Sequence, residues 1–511
     1  MSIRITGMNS GLDTDSMVKE LVNAYEEQGE KYTKARTKTE WKQEIWKELN
    51  TKVKSFYSKY ASSMRFSTQY NKMSTTASDS SKVSVVAGEN ATVGSQTLKI
   101  NKLAVSGYLT GGKLNDVTGS TKLSELVGDI GEGTVIKINR GAADADGNYD
   151  ESQALEISVN SDTTVSEFVS KINAISDINA SFDENNSRIF VSSKSSGTAN
   201  DFSLEGNTGT AADILSALKL TDASGGSKIA AVDAAITLNG VDYTSSSNSF
   251  SINGQTITVK GTTAENEELT LTTDVDIESV YSSIKNFFKE YNTLINELDK
   301  LYNADDVTIG KNKYEPLTDD EKEAMSDTEI EKWETKIKDS LLSGDSDVST
   351  LASAMRNSML KTYEVDGKTY SLSSFGIETL SYFEAAENEK NAFHIYGDED
   401  DDSTSGETDK LKSMIASNPS AVSGFFTQLI GGLYDSMYKI QSESDNYTSF
   451  GSFYGDKRLQ TEYDTQDEQV SKWEDYVAEI EERYYSQFTA METALGELQS
   501  QQSSLSQLLG S

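Results

Sequence analysis

The chain has no cysteine among its 511 residues, so it can form no disulfide, thiolate metal site or cysteine nucleophile. Its one histidine, His394, cannot supply a multi-histidine zinc site. A Ser-His-Asp hydrolase would depend on that single residue, and no motif surrounds it. It reads as a structural histidine in a loop ahead of the acidic run at 398–402. Only Pro316 and Pro419 occur, so most of the chain avoids the residue that breaks helices and isomerises slowly. No apolar run approaches the ~20 residues of a membrane span, so no membrane insertion is expected. Positive charge is also scarce. A net charge of −36 argues against nucleic acid, where affinity comes from neutralising phosphates. It favours solubility and self-repulsion until a specific interface forms. The opening MSIRITGMNSGLDTDSMVKEL lacks the apolar core and small-residue cleavage site of a secretory signal peptide, which alone reads as cytosolic.

What is present is a pair of helical ends. From Val470 an apolar stripe runs through Trp473, Val477, Ile480, Tyr484, Phe488, Met491, Leu495 and Leu498 to Leu505 and Leu509. Its steps of three and four keep one helix face toward a partner. A second four-residue step at Phe488 is a stutter, and Gln502 puts a polar group in the seam. At the other end Asp13 or Thr14 caps a helix, and Val18, Leu21, Val22, Tyr25 and Tyr32 form a narrow stripe. Trp46, Leu49, Val53, Phe56 and Tyr60 continue it. Residues 26–44 between them are charged and polar, a solvated helix or a hinge. Residues 1–75 carry thirteen Lys and Arg against nine Asp and Glu, so the acidic excess lies in the rest of the chain.

From about 76 to 275 the composition shifts to Ser, Thr, Gly, Asn, Asp and β-branched residues. Strands read at 82–86, 97–103, 155–159 and 188–191, and a hairpin at 250–259 turns on Asn253-Gly254. Thr164 and Glu167 form a capping box for a helix over 164–175. Helix returns at 277–302 with the seam Ile277, Val280, Ile284, Phe287, Tyr291, Leu294, Leu298 and Leu301. Further capping boxes stand at Thr318 with Glu321 and at Ser326 with Glu329. Pro419 behind Asn418 starts a helix through Ile440, and residues 441–465 read as a loop.

A chain this long holds roughly three or four domains. The order of elements predicts an α+β multidomain fold, in which both termini make a discontinuous helical coiled-coil stem around inserted β-rich head domains. The expected division is 1–40 with 462–511 as a terminal coiled-coil leg, and 41–75 with 276–461 as a helical stem domain. Residues 76–108 with 228–275 are expected to form an inner β head domain, and 109–227 an outer, variable β-rich one. No catalytic constellation is legible: the phosphate-binding, nucleophile-elbow and zinc motifs are missing from the sequence. Asp144, Asp146, Asn148 and Asp150 imitate a calcium loop, but its sixth and twelfth positions fall on Tyr149 and Leu155. The segment reads as a solvated hairpin loop, and neither a metal nor a cofactor is expected.

The sequence resembles a known family. GLDTDSMV at 11–18 is similar to the N-terminal signature of the flagellar filament cap proteins, also called hook-associated protein type 2. The likeness continues in Tyr291 and Asn292, in YEPLTDDEKEAM at 314–325, in EIEKWE at 329–334 and through 341–355. It also covers YSQFTAME at 485–492 and LQSQQ at 498–502. FVSKIN at 168–173 through SSKSSG at 192–197 is similar to a repeat shared by flagellins and hook proteins, whereas 105–160 matches no family segment.

The resemblance implies a structural protein, not an enzyme. It would be exported unfolded through the flagellar type III route without a cleaved signal and would act outside the cell at the filament tip. It implies a homo-oligomeric ring, by family habit a pentamer, that holds back flagellin and promotes its folding, insertion and filament elongation. Partners would be flagellin, the hook-associated junction proteins and an export chaperone. The alternatives are a flagellin or hook–filament junction protein, or a surface adhesin whose head domains bind host glycans. The expected axial-partner and self-assembly positions are Leu12, Val18, Leu21, Val22, Tyr25, Phe488, Met491, Leu495, Leu498, Leu505 and Leu509, on ends that order only on assembly.

Overall fold

The computed structural model describes residues 10–141, 143–144, 148–310, 313–508 and 510. The chain divides into two compact units, Met1–Tyr70 with Ile277–Ser511 and Asn71–Asp276, so the second is inserted in the sequence of the first.

In the first unit the two chain ends are long helices, Thr14–Phe56 and Asp456–Leu508, packed antiparallel against each other. The direction follows from the contacts. Tyr25 meets Trp473, Arg36 pairs with Asp467 at 2.8 Å, and Gln43 meets Gln460. Asp13 starts the N-terminal helix, its carboxylate accepting from Ser16 N at 3.1 Å. The Ser16 hydroxyl and then its amide hold the Asp13 carboxyl below its ordinary pKa. Helix runs unbroken through the polar 26–44 segment, so no hinge lies there. Both ends are helical within the single chain. The C-terminal helix also starts at Asp456, well inside the segment read as a loop. Asp347 of a neighbouring element holds Arg458 at 2.8 Å and supplies what the local sequence lacks.

The helix Ile277–Tyr302 buries Val280, Ile284, Phe287, Tyr291, Leu294 and Leu298, and also Tyr281, Phe288 and Ile295. The buried stripe is therefore wider than a two-position seam, as a core-facing helix requires. Phe287 packs on Phe56 at 5.6 Å, while Phe288 meets Phe393 and Phe426. Phe426 comes from Pro419–Ser442, a helix opened by Asn418 and Pro419, and Phe375 stacks on Phe425 at 4.9 Å. Asn292 clamps the backbone of Phe393, donating to its carbonyl at 2.7 Å and accepting from its amide at 2.8 Å. Both capping boxes at Thr318 and Ser326 are formed.

The second unit is built of antiparallel sheets. One sheet runs in the order Met73–Ala77, Leu269–Val275, Gly94–Lys102, Ala234–Leu238, Val241–Ser245. A three-stranded sheet orders Ser249–Ile252, Gln255–Val259 and Val83–Ala87. They share a core that includes Leu98, Ile100, Ile236, Ile257 and Leu271. The hairpin turn has Asn253 at φ 49° and Gly254 at φ 74°, the positive pair that a two-residue turn needs. A second core lies within 109–220, around Ile138, Phe168, Ile172, Val191 and Phe202. It is covered by the helices Val165–Asn173, with its Thr164–Glu167 capping box, and Gly209–Ala217. Of the calcium-like segment, Asp146 and Gly147 lie outside the described residues; Asp144 accepts from Asn148 N at 2.7 Å, a local turn.

Candidate interaction surface on the paired chain ends

His394 stands on the short strand Phe393–Ile395, not in a loop, with Nδ1 2.6 Å from Asp401 Oδ2. Its Nε2 is buried and meets no hydrogen-bond partner among the described residues, so it activates no hydroxyl there. The acidic run beside it is less solvated than its composition suggests. Asp398 is buried, and Asp398 and Asp400 both hold the Lys285 ammonium. These residues line a cleft of about 550 Å³ without the nucleophile and base geometry of a hydrolase. Among the described residues no cluster of His, Cys, Asp and Glu could hold a metal ion. Nor is any helix among the described residues long and apolar enough to cross a membrane.

The distinctive surface belongs to the paired ends. Val18 and Val22, expected to face outside partners, are 1% and 5% exposed and pack within the antiparallel pair. Correspondingly, Val470 and Ile480 of the C-terminal stripe are buried. Tyr25 is half-buried, its ring edge-on to Tyr476 at 6.2 Å. A side-chain hydrogen bond with Tyr25 holds the Tyr484 hydroxyl above its ordinary pKa. Trp473 donates its indole Nε1–H to Tyr25 O at 2.9 Å and lies over Gly29. A glycine inside a helix costs about 1 kcal/mol relative to alanine, so its place here is explained by the ring it admits. A glycine inside a charged helical run is the sequence signal of such a close approach.

Toward the far end the stripe loses its cover. Phe488 and Leu495 are half-buried and Met491 is exposed, while Leu498 and Leu505 are each 60% exposed. Leu12 and Leu21 are exposed on the facing helix end, and Leu509 lies outside the described residues. The pattern has a geometric cause: the N-terminal helix begins at Thr14, opposite the region of Tyr485, and the C-terminal helix runs on to Leu508. Near this crossing Glu492 is fully buried, accepting from Ser10 N at 3.1 Å and from its hydroxyl. No sequence pattern marked that carboxylate as buried.

Residues 10–106 match the model of the flagellar hook-associated protein 2 N-terminus, and residues 231–500 that of its C-terminus. Flagellar hook-associated protein 2 of Halalkalibacterium halodurans is 25% identical over 547 residues, spanning 99% of this chain and 99% of that protein. The Thermotoga maritima protein of that name is 26% identical over 363 residues, 70% of this chain and 54% of its own length. A crystal structure of the D1-D2-D3 domains of the flagellar cap protein FliD from Escherichia coli covers 83% of this chain and 99% of its own. Its TM-score is 0.54 at 18% identity, a likeness of fold.

Proposed function

This chain belongs to the flagellar hook-associated protein 2 family, a family of flagellar cap proteins, and from that premise we propose that it caps the distal tip of the flagellar filament. In this reading several copies, five by family habit, close into a ring that retains flagellin and promotes its folding and insertion. The observation that carries it is the C-terminal helix outrunning its partner, with Leu498 and Leu505 60% exposed. A large apolar side chain gains about 1.5–3 kcal/mol when fully buried, so these leucines favour cover by helices of flagellin or the junction proteins. The stutter near Phe488 and the exposed Gln502 weaken the seam, which suits a cap that must shift as subunits enter. Before assembly the same leucines need cover, the task of an export chaperone. Export by the flagellar type III route is consistent with a chain free of cysteine and nearly free of proline.

Deleting the gene and assaying filaments and medium tests the reading. Short or missing filaments with flagellin monomer in the medium, restored by the full chain, are expected. Normal filaments in the deletion strain would refute it.

A further inference from the structure

Two features of the helical unit lack partners among the described residues, and their chemistries match. The first is the segment 380–391, which joins the paired strands Ile377–Thr379 and Phe393–Ile395. Ser381 O accepts from Glu384 N and Ala385 N at 3.0 Å, and Ala386 O accepts from Glu389 N at 3.0 Å, so the segment is two consecutive turns. Asn391 ties its end to Asp299 at 2.6 Å, and Lys390 lies over the Tyr382 ring at 3.9 Å. On this fixed backbone Phe383 is 96% exposed, and Tyr382 beside it is exposed as well. Two large exposed aromatics side by side are more than the scattered apolar side chain that any surface carries. Glu384, Glu387 and Glu389 of the same loop are exposed, and none forms an ion pair among the described residues.

The second is Arg65, at the end of the short helix Ser62–Met64 that follows the N-terminal helix. Its guanidinium carbon lies 3.9 Å from the centre of the Tyr434 ring and 4.8 Å from that of Phe66. Tyr434 is itself stacked on Tyr57 at 4.7 Å and on Tyr438 at 6.3 Å. These rings fix the cation and cover its face. Yet the side chain forms no ion pair or hydrogen bond among the described residues, and its Nε is buried without a partner. In a chain with 82 Asp and Glu residues that is a specific omission, since Arg36, Arg140, Arg356 and Arg458 each hold an aspartate. Asp435, beside Tyr434 in sequence, acts on the Tyr363 hydroxyl instead. Phe66 and Tyr438 are exposed on either side of the cation's ring.

We propose that these two features join neighbouring copies of this chain. The 380–391 loop of one copy docks on the Arg65 patch of the next, with the Glu384 carboxylate on the guanidinium and Phe383 against Phe66 and Tyr438. A second copy is the occupant because each surface supplies what the other lacks: an unpaired cation among rings, and exposed rings among unpaired carboxylates. Stacking leaves the donor edge of the guanidinium already oriented, so little side-chain freedom is lost on docking. Aromatic and arginine side chains are also the usual anchors of protein interfaces. The contact joins two different surfaces, so it repeats from copy to copy and can close a ring. It rests on the capping reading for there being several copies, and it adds the surfaces that join them.

The test follows assembly of the full-length chain over a range of concentrations by analytical ultracentrifugation. Arg65→Glu and Glu384→Arg should each raise the concentration needed for assembly by at least about tenfold, and the two changes together should recover most of it. Phe383→Ser should weaken assembly without a change of charge, with thermal unfolding confirming that each variant is folded. The absence of cysteine gives a direct reading of the geometry. Glu384→Cys in one preparation and Tyr438→Cys in another should cross-link under mild oxidation when mixed, and far less when each is oxidised alone. A wild-type chain that stays monomeric, assembly indifferent to both charge reversals, no recovery in the combined variant, or equal cross-linking in mixed and separate preparations overturns the proposal. The capping reading fails separately: a strain lacking the chain that grows normal filaments refutes it, whatever the ultracentrifuge shows.

Discussion

Gly29 lies directly beneath the indole of Trp473, and a Cβ built on the glycine would stand 2.2 Å from Trp473 Cδ1. The indole is held there by its bond to Tyr25 O, one helical turn before Gly29. The two chain ends are thus locked at one point, where a missing side chain on one helix receives the largest side chain of the other. Gly29→Ala should gain about 1 kcal/mol of helix propensity and lose about 1–3 kcal/mol to overpacking. Overpacking wins because the ring is rigid and bonded. The variant is expected to unfold at lower denaturant, with a changed tryptophan near-ultraviolet signal. A more stable variant would contradict the lock.

Glu492 is buried with Ser10 as a partner for its carboxylate, which ties the start of the chain to the C-terminal helix. Glu492→Ala strips that partner from the Ser10 amide and should cost about 1–3 kcal/mol locally. Amide exchange should quicken around residues 10–20 and 485–495 and stay unchanged in the β-rich unit. Unchanged protection at both chain ends would mean that the carboxylate does not hold them.

Glu321 closes the capping box, accepting from Thr318 N at 2.8 Å, and also meets Lys34 Nζ at 3.2 Å. The Thr318 amide first, then Lys34, holds its carboxyl below the ordinary value of 4.5. A depressed carboxyl contributes stability that is present above its unfolded value and lost as pH falls through the folded one. Protection of amides in 318–338 should therefore decline as pH drops below 4.5, and Glu321→Gln should show less of this decline. An identical acid response in wild type and variant would refute this linkage.

Tyr291 is fully buried in the aromatic core, and its hydroxyl has no hydrogen-bond partner among the described residues. Burial pushes that hydroxyl's pKa well up. Tyr291→Phe removes an unsatisfied polar atom while keeping the ring, so stability should be unchanged or rise by up to about 1 kcal/mol. A clear loss in equilibrium unfolding would show that the hydroxyl is satisfied in solution.

Local signals in the sequence were readable because short-range chemistry decides them. Asn253-Gly254 dictates its own turn, and Thr164, Thr318 and Asn418 cap helices with atoms a few residues away. The start of the C-terminal helix was not readable. Residues 456–465 bury one aliphatic side chain, Leu459, and tertiary partners such as Asp347 stabilise their helix. Residues 26–44 were ambiguous for the same reason, since Gly29, Arg36 and Trp41 acquire their roles only beside Trp473, Asp467 and Lys338. At the candidate surface, the stripe named residues along both helices but not their division. Val18 and Val22 are covered within the chain while Leu498 and Leu505 are not, and only the offset of the two helices decides which.

That offset is the core of the functional account. The most direct measurement is filament growth in a deletion strain supplied with the Leu498→Ser/Leu505→Ser double variant. Both side chains are 60% exposed, so the variant should fold, and its presence in the medium checks that it is exported. The account predicts loss of filament growth with flagellin escaping into the medium. Filaments of normal length and motility would contradict it.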